Sequence, residues 1–388
     1  MYLKLLEKNI KQGILNLHLH DGRSYTFGRD GVEANWNIKD ESAIKKIAGN
    51  WEFELGETYY QGRWDAGATG LPALLAVLRS NFSVYRTNRW LHPLVKILQE
   101  WNKIKISYAQ VSHHYDVPEA VFRKFLDPEM YYSCAYFSQQ NFSLAEAQQA
   151  KARHIANKLL IQPGNRILDI GCGWGSLAFD LAAQYDCEVV GITLSNEQLV
   201  VANKEKLLRG YKNVHFELAD YREHQGTFDR IVSVGMFEHV GRPFYNTYFN
   251  QINKLLQPNG VALVHTIGRS GPPGVTNQWI RKYIFPGGSN PALSEITSAV
   301  ESSKLRVNDI EVWRMHYALT LQHWYERFAQ NRNDIAALMN EQFCRAWEFY
   351  LASCEAAFRY SDLVVYQVQL AKQHGSVPIT RDYLYPSN

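Results

Sequence analysis

Between residues 166 and 266 the chain alternates short, nearly continuous apolar runs with longer runs whose apolar positions recur at helical spacing. The apolar runs fall at 166–170, 188–193, 214–218, 230–234 and 261–266, and unbroken apolar character is what parallel strands covered on both faces require. Helices are expected in the gaps, at 176–185, 196–209 and 245–256, with Gln257-Pro258-Asn259-Gly260 as a turn before the fifth strand. Right-handed crossovers then give an α/β fold, a doubly wound and mostly parallel sheet.

Near the start the period changes to two. Leu15, Leu17 and Leu19 alternate with Asn16, His18 and His20, and Asp21-Gly22 turns the chain toward residues 24–27, which reads as a hairpin. Helices are expected at 41–48 and 71–78, with a ring-packed turn over 55–64, so residues 1–107 form a smaller α+β N-terminal domain ahead of a larger domain over 108–388. In the larger domain, helices at 120–126 and 146–160 lead into the first parallel strand. After it, the glycines and prolines of 267–291 suggest an insertion or lid near 268–300, followed by a strand at 305–313, helices at 319–328 and 334–360, and a last strand at 363–370.

Composition narrows the class. The 388 residues are 46% hydrophobic and 20% charged, enough to bury a full core, and a net charge of +3 without an Arg-Lys tract gives no reason to expect nucleic acid. Cys134, Cys172, Cys187, Cys344 and Cys354 make no paired metal spacing, so no metal is expected, and an odd count without an export signal suits a reducing cytoplasm. No stretch approaches 18 uncharged apolar residues, so the protein is expected to be cytoplasmic and at most peripheral to a membrane. Residues 86–107 interleave Arg86, Arg89, Lys96, Lys103 and Lys105 with Trp90, Trp101 and leucines, which suits a phospholipid interface or a linker helix equally.

The candidate chemistry gathers at the strand ends. Gly171, Gly173 and Gly175 follow the first strand and precede a helix, a turn that brings backbone close to a nucleotide or nucleoside. A nicotinamide site would place an acid at the tip of the second strand; here stand Thr193, Ser195, Asn196 and Gln198, with Ser195 or Asn196 also available as a helix cap. Asp220 and Tyr221 after the third strand suit an adenine amine and its ring, while Glu238 and His265 after the fourth and fifth are expected to face one pocket. Zinc at Glu238, His239, His265, Cys134 or His316 is less favoured because the spacing shows no close ligand pair, and a Cys134–His265 hydrolase because hydrolysis asks for neither a nucleoside nor a ring-rich wall.

These residues carry a family resemblance. Tyr132-Ser133-Cys134-Ala135-Tyr136-Phe137, the Leu168–Gly175 loop, Gly191–Ser195 with Gln198, Val234–Gly241, His265–Gly268, Tyr283–Pro286 and Trp324–Phe328 resemble the bacterial cyclopropane-fatty-acyl-phospholipid synthases, class I methyltransferases dependent on S-adenosylmethionine. The likeness runs from about 108 to 370, and residues 1–107 resemble more faintly those enzymes' additional N-terminal domain. It implies S-adenosylmethionine held by Tyr132, Ser133, Asp169, Gly171, Gly173, Gly175, Thr193, Ser195, Asn196, Gln198, Asp220 and Tyr221. It also implies a bicarbonate proton acceptor at Cys134, Glu238, His265, Tyr317 and the Ile267 backbone, with Tyr136, Phe137 and Phe237 walling a substrate carbocation.

The activity implied is methylene transfer to a cis double bond of a phospholipid acyl chain, by a homodimer at the inner membrane face that is recruited to lipid through its N-terminal domain. Branched-chain fatty-acyl methylation, methylation of a small amine and a non-enzymatic lipid-binding role remain alternatives. One departure falls at His114-Tyr115-Asp116-Val117, which continues Pro118-Glu119 where many relatives have Gly-Asn, and this implies a different substrate entry.

Overall fold

The alternation near the N-terminus becomes a four-stranded sheet in the computed structural model, which describes residues 2–82 and 117–385. Strand β1 (Ile14–His18) pairs antiparallel with β2 (Ser24–Gly28), the expected hairpin. On its other side β3 (Glu33–Ile38) runs parallel to β1 with Leu17 opposite Trp36, and β4 (Trp64–Asp65) closes the order β2-β1-β3-β4. Leu15, Leu17, Ala34, Trp36 and Ile38 are buried, so alternation also marks β3, which the sequence reading passed over.

The stretch 55–64 is no turn. A helix, Trp51–Tyr60, covers most of it and buries Leu55 and Tyr59, one turn apart. Gly56 lies within it because a Cβ there would meet Phe349 and Trp279 at 2.7–2.8 Å, so two aromatic rings dictate the glycine.

Contacts divide the chain differently from the linear boundary at 107. Described residues 2–82 group with 276–286 and 317–363 in one unit. Helix Glu341–Tyr360 packs on helices Gly70–Asn81 and Trp51–Tyr60. The Tyr59 hydroxyl donates to Glu348 at 3.2 Å, and Arg345 donates to the carbonyls of Tyr59 at 2.6 Å and Trp64 at 2.9 Å. Part of the expected lid joins this unit too, as helix Gln278–Tyr283, whose cap Asn277 donates to the Glu52 carbonyl at 2.8 Å. The helix expected over 334–360 is two, Arg332–Leu338 and Glu341–Tyr360, because the Asn340 side chain accepts from Phe343 N–H and starts the second afresh.

The other unit holds the large sheet, ordered β10-β11-β9-β8-β5-β6-β7. Its strands are β5 (Asn165–Ile170), β6 (Cys187–Thr193), β7 (Val214–Leu218), β8 (Phe228–Val234), β9 (Leu256–Arg269), β10 (Arg306–Trp313) and β11 (Leu363–Ala371). Pairs β5–β6, β6–β7, β5–β8 and β8–β9 are parallel, and β10–β11 is antiparallel. Residues 257–260 do not turn as expected: β9 begins at Leu256, and the pairing jumps from Phe228↔Leu256 to Arg230↔Val261, so the extra residues are absorbed as a bulge.

Apolar layers cover both faces. Tyr248, Phe249 and Ile252 of helix Tyr245–Leu255, with helix Leu293–Ser302, pack on one; Ile155 and Leu159 of helix Leu144–Leu159, with Leu177 and Phe179 of helix Ser176–Gln184, pack on the other. Strand order reverses beside β5, which opens a crevice at the carboxyl ends of β5, β6 and β8. Among the described residues no helix is long and apolar enough to cross a membrane. The basic segment 86–107 and the motif His114-Tyr115-Asp116 lie outside the described residues.

Candidate active site

The turn after β5 is built from backbone that only glycine adopts easily, with φ of +85° at Gly171, +57° at Gly173 and +91° at Gly175. The N–H groups of Gly171 and Cys172 both donate to the Ile192 carbonyl, which ties the loop to β6. At Gly173 a Cβ would stand in open space, so the backbone there is bare toward a ligand. Gly175 does a different job from the one expected: it caps helix Ser176–Gln184, and a Cβ on it would strike the Phe216 ring at 2.5 Å.

Beside this loop lies an open cleft lined by the turns that follow β5, β6, β7 and β8. Of the residues expected to hold the cofactor, Tyr132, Ser133, Asp169, Gly171 and Gly173 line it on one side. Thr193, Gln198, Asp220 and Tyr221 line it on the other. Burial pushes the Asp169 carboxyl up to about 7, against the opposing pull of Lys151. Ser195 and Asn196 do not line the cleft: Ser195 accepts from Gln198 N–H as the cap of helix Asn196–Arg209, and Asn196 is exposed. The polarity of Ser195 belongs to helix initiation.

Asp220 is more committed than a free adenine acceptor. Arg222 grips it with Nε to Oδ1 at 2.8 Å and Nη2 to Oδ2 at 2.6 Å, and its backbone N–H adds a bond to Oδ1 at 2.9 Å. One acceptor direction remains on Oδ2 for an exocyclic amine. His239 also lines the cleft, and burial pushes its imidazole down to about 4, so it is neutral at physiological pH.

At the tips of β8 and β9 a second locus forms. The Ile267 N–H donates to Glu238 Oε1 at 2.6 Å, while Glu238 Oε2 is buried with no protein partner. Burial pushes this carboxyl up to about 7. Ile267 therefore contributes by anchoring Glu238; its carbonyl accepts from Thr266 Oγ1. His265, two residues earlier on β9, has Nδ1 3.0 Å from Gln367 Nε2 and an edge-on Trp313 ring at 5.1 Å. Burial holds its imidazole well below 6.5, and a Gln367 amide donating to Nδ1 leaves the ring hydrogen on Nε2.

The remaining expected residues are scattered. Cys134 is buried, its thiol directed at the Ala135 carbonyl. Tyr136 stands in a ring column, 4.5 Å from His154, 4.7 Å from Trp313 and 4.9 Å from His316, and the Phe137 N–H donates to His316 Nδ1 at 3.1 Å. Phe237 is no wall of the cleft: it is fully buried against Tyr245, Tyr248 and Phe249, because the short 3-10 turn Phe237–His239 points it into the core. Tyr317 belongs to the other unit, where its ring packs on Phe358 at 4.8 Å and Trp324 at 5.9 Å.

Sequence reasoning missed Lys151, Gln367 and the clamp by Arg222. A signal existed for Lys151: Gln148, Lys151 and Lys158 fall on the same helical stripe as Leu144, Ala147 and Ile155, where a core helix should be apolar. All three are buried.

Known proteins place this arrangement. Residues 102–368 match the mycolic acid cyclopropane synthetase family. The chain is similar to cyclopropane-fatty-acyl-phospholipid synthase of Escherichia coli K12, 37% identical over 343 residues, covering 87% of this chain and 88% of that one. It is also similar to tuberculostearic acid methyltransferase UfaA1 of Mycobacterium tuberculosis, 34% identical over 391 residues, covering 95% and 90%. Among solved structures, mycolic acid cyclopropane synthase CmaA1 complexed with SAH and CTAB superimposes with a TM-score of 0.64 at 34% identity, covering 68% of this chain and 97% of that one. By fold and cleft this is a class I methyltransferase that uses S-adenosylmethionine. Within that class the chain belongs to the mycolic acid cyclopropane synthetase family.

Proposed function

We propose that this protein is a cyclopropane-fatty-acyl-phospholipid synthase, which transfers a methylene from S-adenosylmethionine to the cis double bond of an unsaturated phospholipid acyl chain. The observation that carries the reading is the Glu238 carboxylate, held on one oxygen by Ile267 and left with its other oxygen buried and unpartnered. A buried carboxyl oxygen of that kind suits a ligand that can share a hydrogen with it, donating to the carboxylate or accepting from the protonated acid. The near end-to-end match to the E. coli synthase supports the same substrate class.

The cleft residues support the cofactor reading, and the buried side chains of Glu238 and His265 carry the polarity a bicarbonate would need. Bare backbone at Gly173, the buried Asp169 carboxyl and the clamped Asp220 suit a nucleoside carrying an amino acid. When bound, S-adenosylmethionine supplies an electrophilic methyl group and bicarbonate a small base. Bicarbonate would be held by Glu238 Oε2 as acceptor and His265 Nε2 as donor. Cys134 joins that set on the family resemblance alone.

The chain's own residues have three tasks in this reaction. The cleft aligns the donor, because an alkene is a weak nucleophile and reacts only when held in line and in contact. The family resemblance assigns Phe137 and Tyr136 to favouring positive charge on the acyl chain, and because His154 and Trp313 stack on Tyr136, that ring would act by its edge or through the column. Apolar walls keep out water, which would convert that cation to an alcohol. The N-terminal unit and the basic segment 86–107 are assigned to lipid recruitment and to a homodimer at the inner membrane face.

The deciding experiment incubates purified protein with labelled S-adenosylmethionine and vesicles of cis-unsaturated phospholipid, then analyses the chains by mass spectrometry and proton NMR. A gain of one methylene with cyclopropane ring protons supports the reading. The similarity to UfaA1 favours a second reading, in which methylation ends in a branched chain. Methyl branches without ring protons would select it, methylation of amines without any lipid product would select a small-amine enzyme, and cofactor binding with no methylated product would leave a lipid-binding protein.

A further inference from the structure

Lys151 is an ammonium group enclosed by protein in the wall of the cofactor cleft, and it is fully buried. Its Nζ donates to Ser133 Oγ at 2.7 Å and sits 3.8 Å from the centre of the Tyr131 ring. The carboxylates of Asp127, Asp169 and Asp180 all act on it. An ammonium has three N–H donors and no acceptor, and one hydrogen bond uses only one of them.

That bond fixes the direction of a hydroxyl. In its ammonium form Lys151 can only donate, so Ser133 Oγ accepts and its own hydrogen is free to point elsewhere. Ser133 lines the cleft, so the free direction is the ligand's. Among the described residues, the other charged or chargeable donors on the lining are accounted for: Arg222 grips Asp220 after β7, and His239 is neutral. Among the described residues, Lys151 is thus the cation available where Ser133 and Asp169 stand. A ligand with an amino-acid tail needs both signs there, a donor for its carboxylate and an acid for its ammonium.

We propose that Lys151 is a positioning residue for the carboxylate of the cofactor's methionine part, acting through the Ser133 hydroxyl and through its own charge, while Asp169 receives the α-ammonium. The proposal rests on S-adenosylmethionine being the ligand. Burial pushes the Lys151 ammonium down to about 7 against the pull of Asp127, Asp180 and Asp169, so it carries its charge chiefly below neutral pH and a bound carboxylate would strengthen it. Replacing Lys151 therefore removes more than a hydrogen bond. It leaves the Ser133 hydroxyl free to turn and the cleft floor acidic.

Calorimetric titration with two ligands tests this. S-adenosylhomocysteine carries the amino-acid tail, and 5′-methylthioadenosine keeps the nucleoside and thioether without it. Lys151→Met should weaken S-adenosylhomocysteine by about 10- to 100-fold, the scale of a charge-assisted hydrogen bond, and leave methylthioadenosine within about two-fold. Ser133→Ala should show the same selectivity at smaller size, and the double variant should be no worse than Lys151→Met, as for two members of one relay.

Equal loss of both ligands, or no loss of either, overturns the assignment. If Lys151→Met does not fold, Lys151→Gln, which keeps an amide donor and drops the charge, must show the selective loss, and its absence overturns the assignment equally. Wild-type protein that binds neither ligand would instead sink the cofactor reading, a different failure.

Discussion

Glu238 and Ile267 lie 29 residues apart in sequence and are joined by one 2.6 Å hydrogen bond from the Ile267 N–H to Oε1. The bond orients the carboxylate so that Oε2 is the oxygen left for chemistry. Glu238→Gln keeps the shape and removes the charge. Product formation should fall by about 100-fold or more, the scale of a lost acid–base group, while affinity for S-adenosylhomocysteine stays within about two-fold. A parallel loss of affinity would show that Glu238 serves the cofactor instead.

The same carboxyl makes stability depend on pH. Held at about 7 in the fold against an ordinary 4.5, Glu238 keeps a proton that the unfolded chain has already released. Its stabilising contribution is full below 4.5 and is lost as pH rises through 7, on the order of 3 kcal/mol for a shift of that size. His239 and His265, pushed down by burial, act in the opposite sense as pH falls below 6.5, so the variant must be compared with wild type at each pH. The melting temperature of Glu238→Gln minus that of wild type should grow from pH 5.5 to pH 8. A constant difference would place the titration elsewhere.

Gly173 separates ligand binding from folding. Its φ of +57° costs an alanine about 1–2 kcal/mol, but the new Cβ meets no protein atom within 4 Å. Gly173→Ala should melt only a few degrees below wild type and lose most of its cofactor affinity. Unchanged affinity would mean that the ligand does not approach this backbone.

The Asp220–Arg222 pair stakes stability on mutual neutralisation. Arg222→Ala strands a fully buried carboxylate and should cost about 3–5 kcal/mol in chemical denaturation. Adding Asp220→Asn removes the stranded charge and should recover part of that loss. If the double variant is no more stable than Arg222→Ala, the pair carries no such burden.

Recruitment to membranes is tested on the basic segment. Neutralising Arg86, Arg89, Lys96, Lys103 and Lys105 together should weaken binding to anionic vesicles, more at low salt than at high, and leave S-adenosylhomocysteine affinity unchanged. Vesicle binding that does not change would make the segment an internal linker.

Much of the large sheet was legible because its signals are local. The strand at 214–218 and the helix at 196–209 fall where apolar runs and capping residues place them. The glycine loop was legible for a similar reason, since a left-handed backbone dictates residue type. Elements fixed by distant partners were not. Strand β3 is held by parallel pairing to β1, the glycine of helix Trp51–Tyr60 answers to Phe349 and Trp279, and residues 257–260 stay in the sheet by bulging. In the site, residue type marked Glu238 and Asp220, but which oxygen of each is free depends on Ile267 and Arg222. Phe237 was misjudged because adjacency to Glu238 says nothing about which way a ring points.

Helix Glu341–Tyr360, late in the chain, presses Phe349 and the Glu348 carboxylate against Tyr59, and Arg345 reaches the carbonyls of Tyr59 and Trp64. A chain begun at residue 108 would thus expose a broad aromatic surface and strand polar groups that now have partners. Shortening this protein to the length of its smaller relatives is not a matter of cutting once. The late helix would need a new coat of polar side chains, and without one the fragment is expected to aggregate.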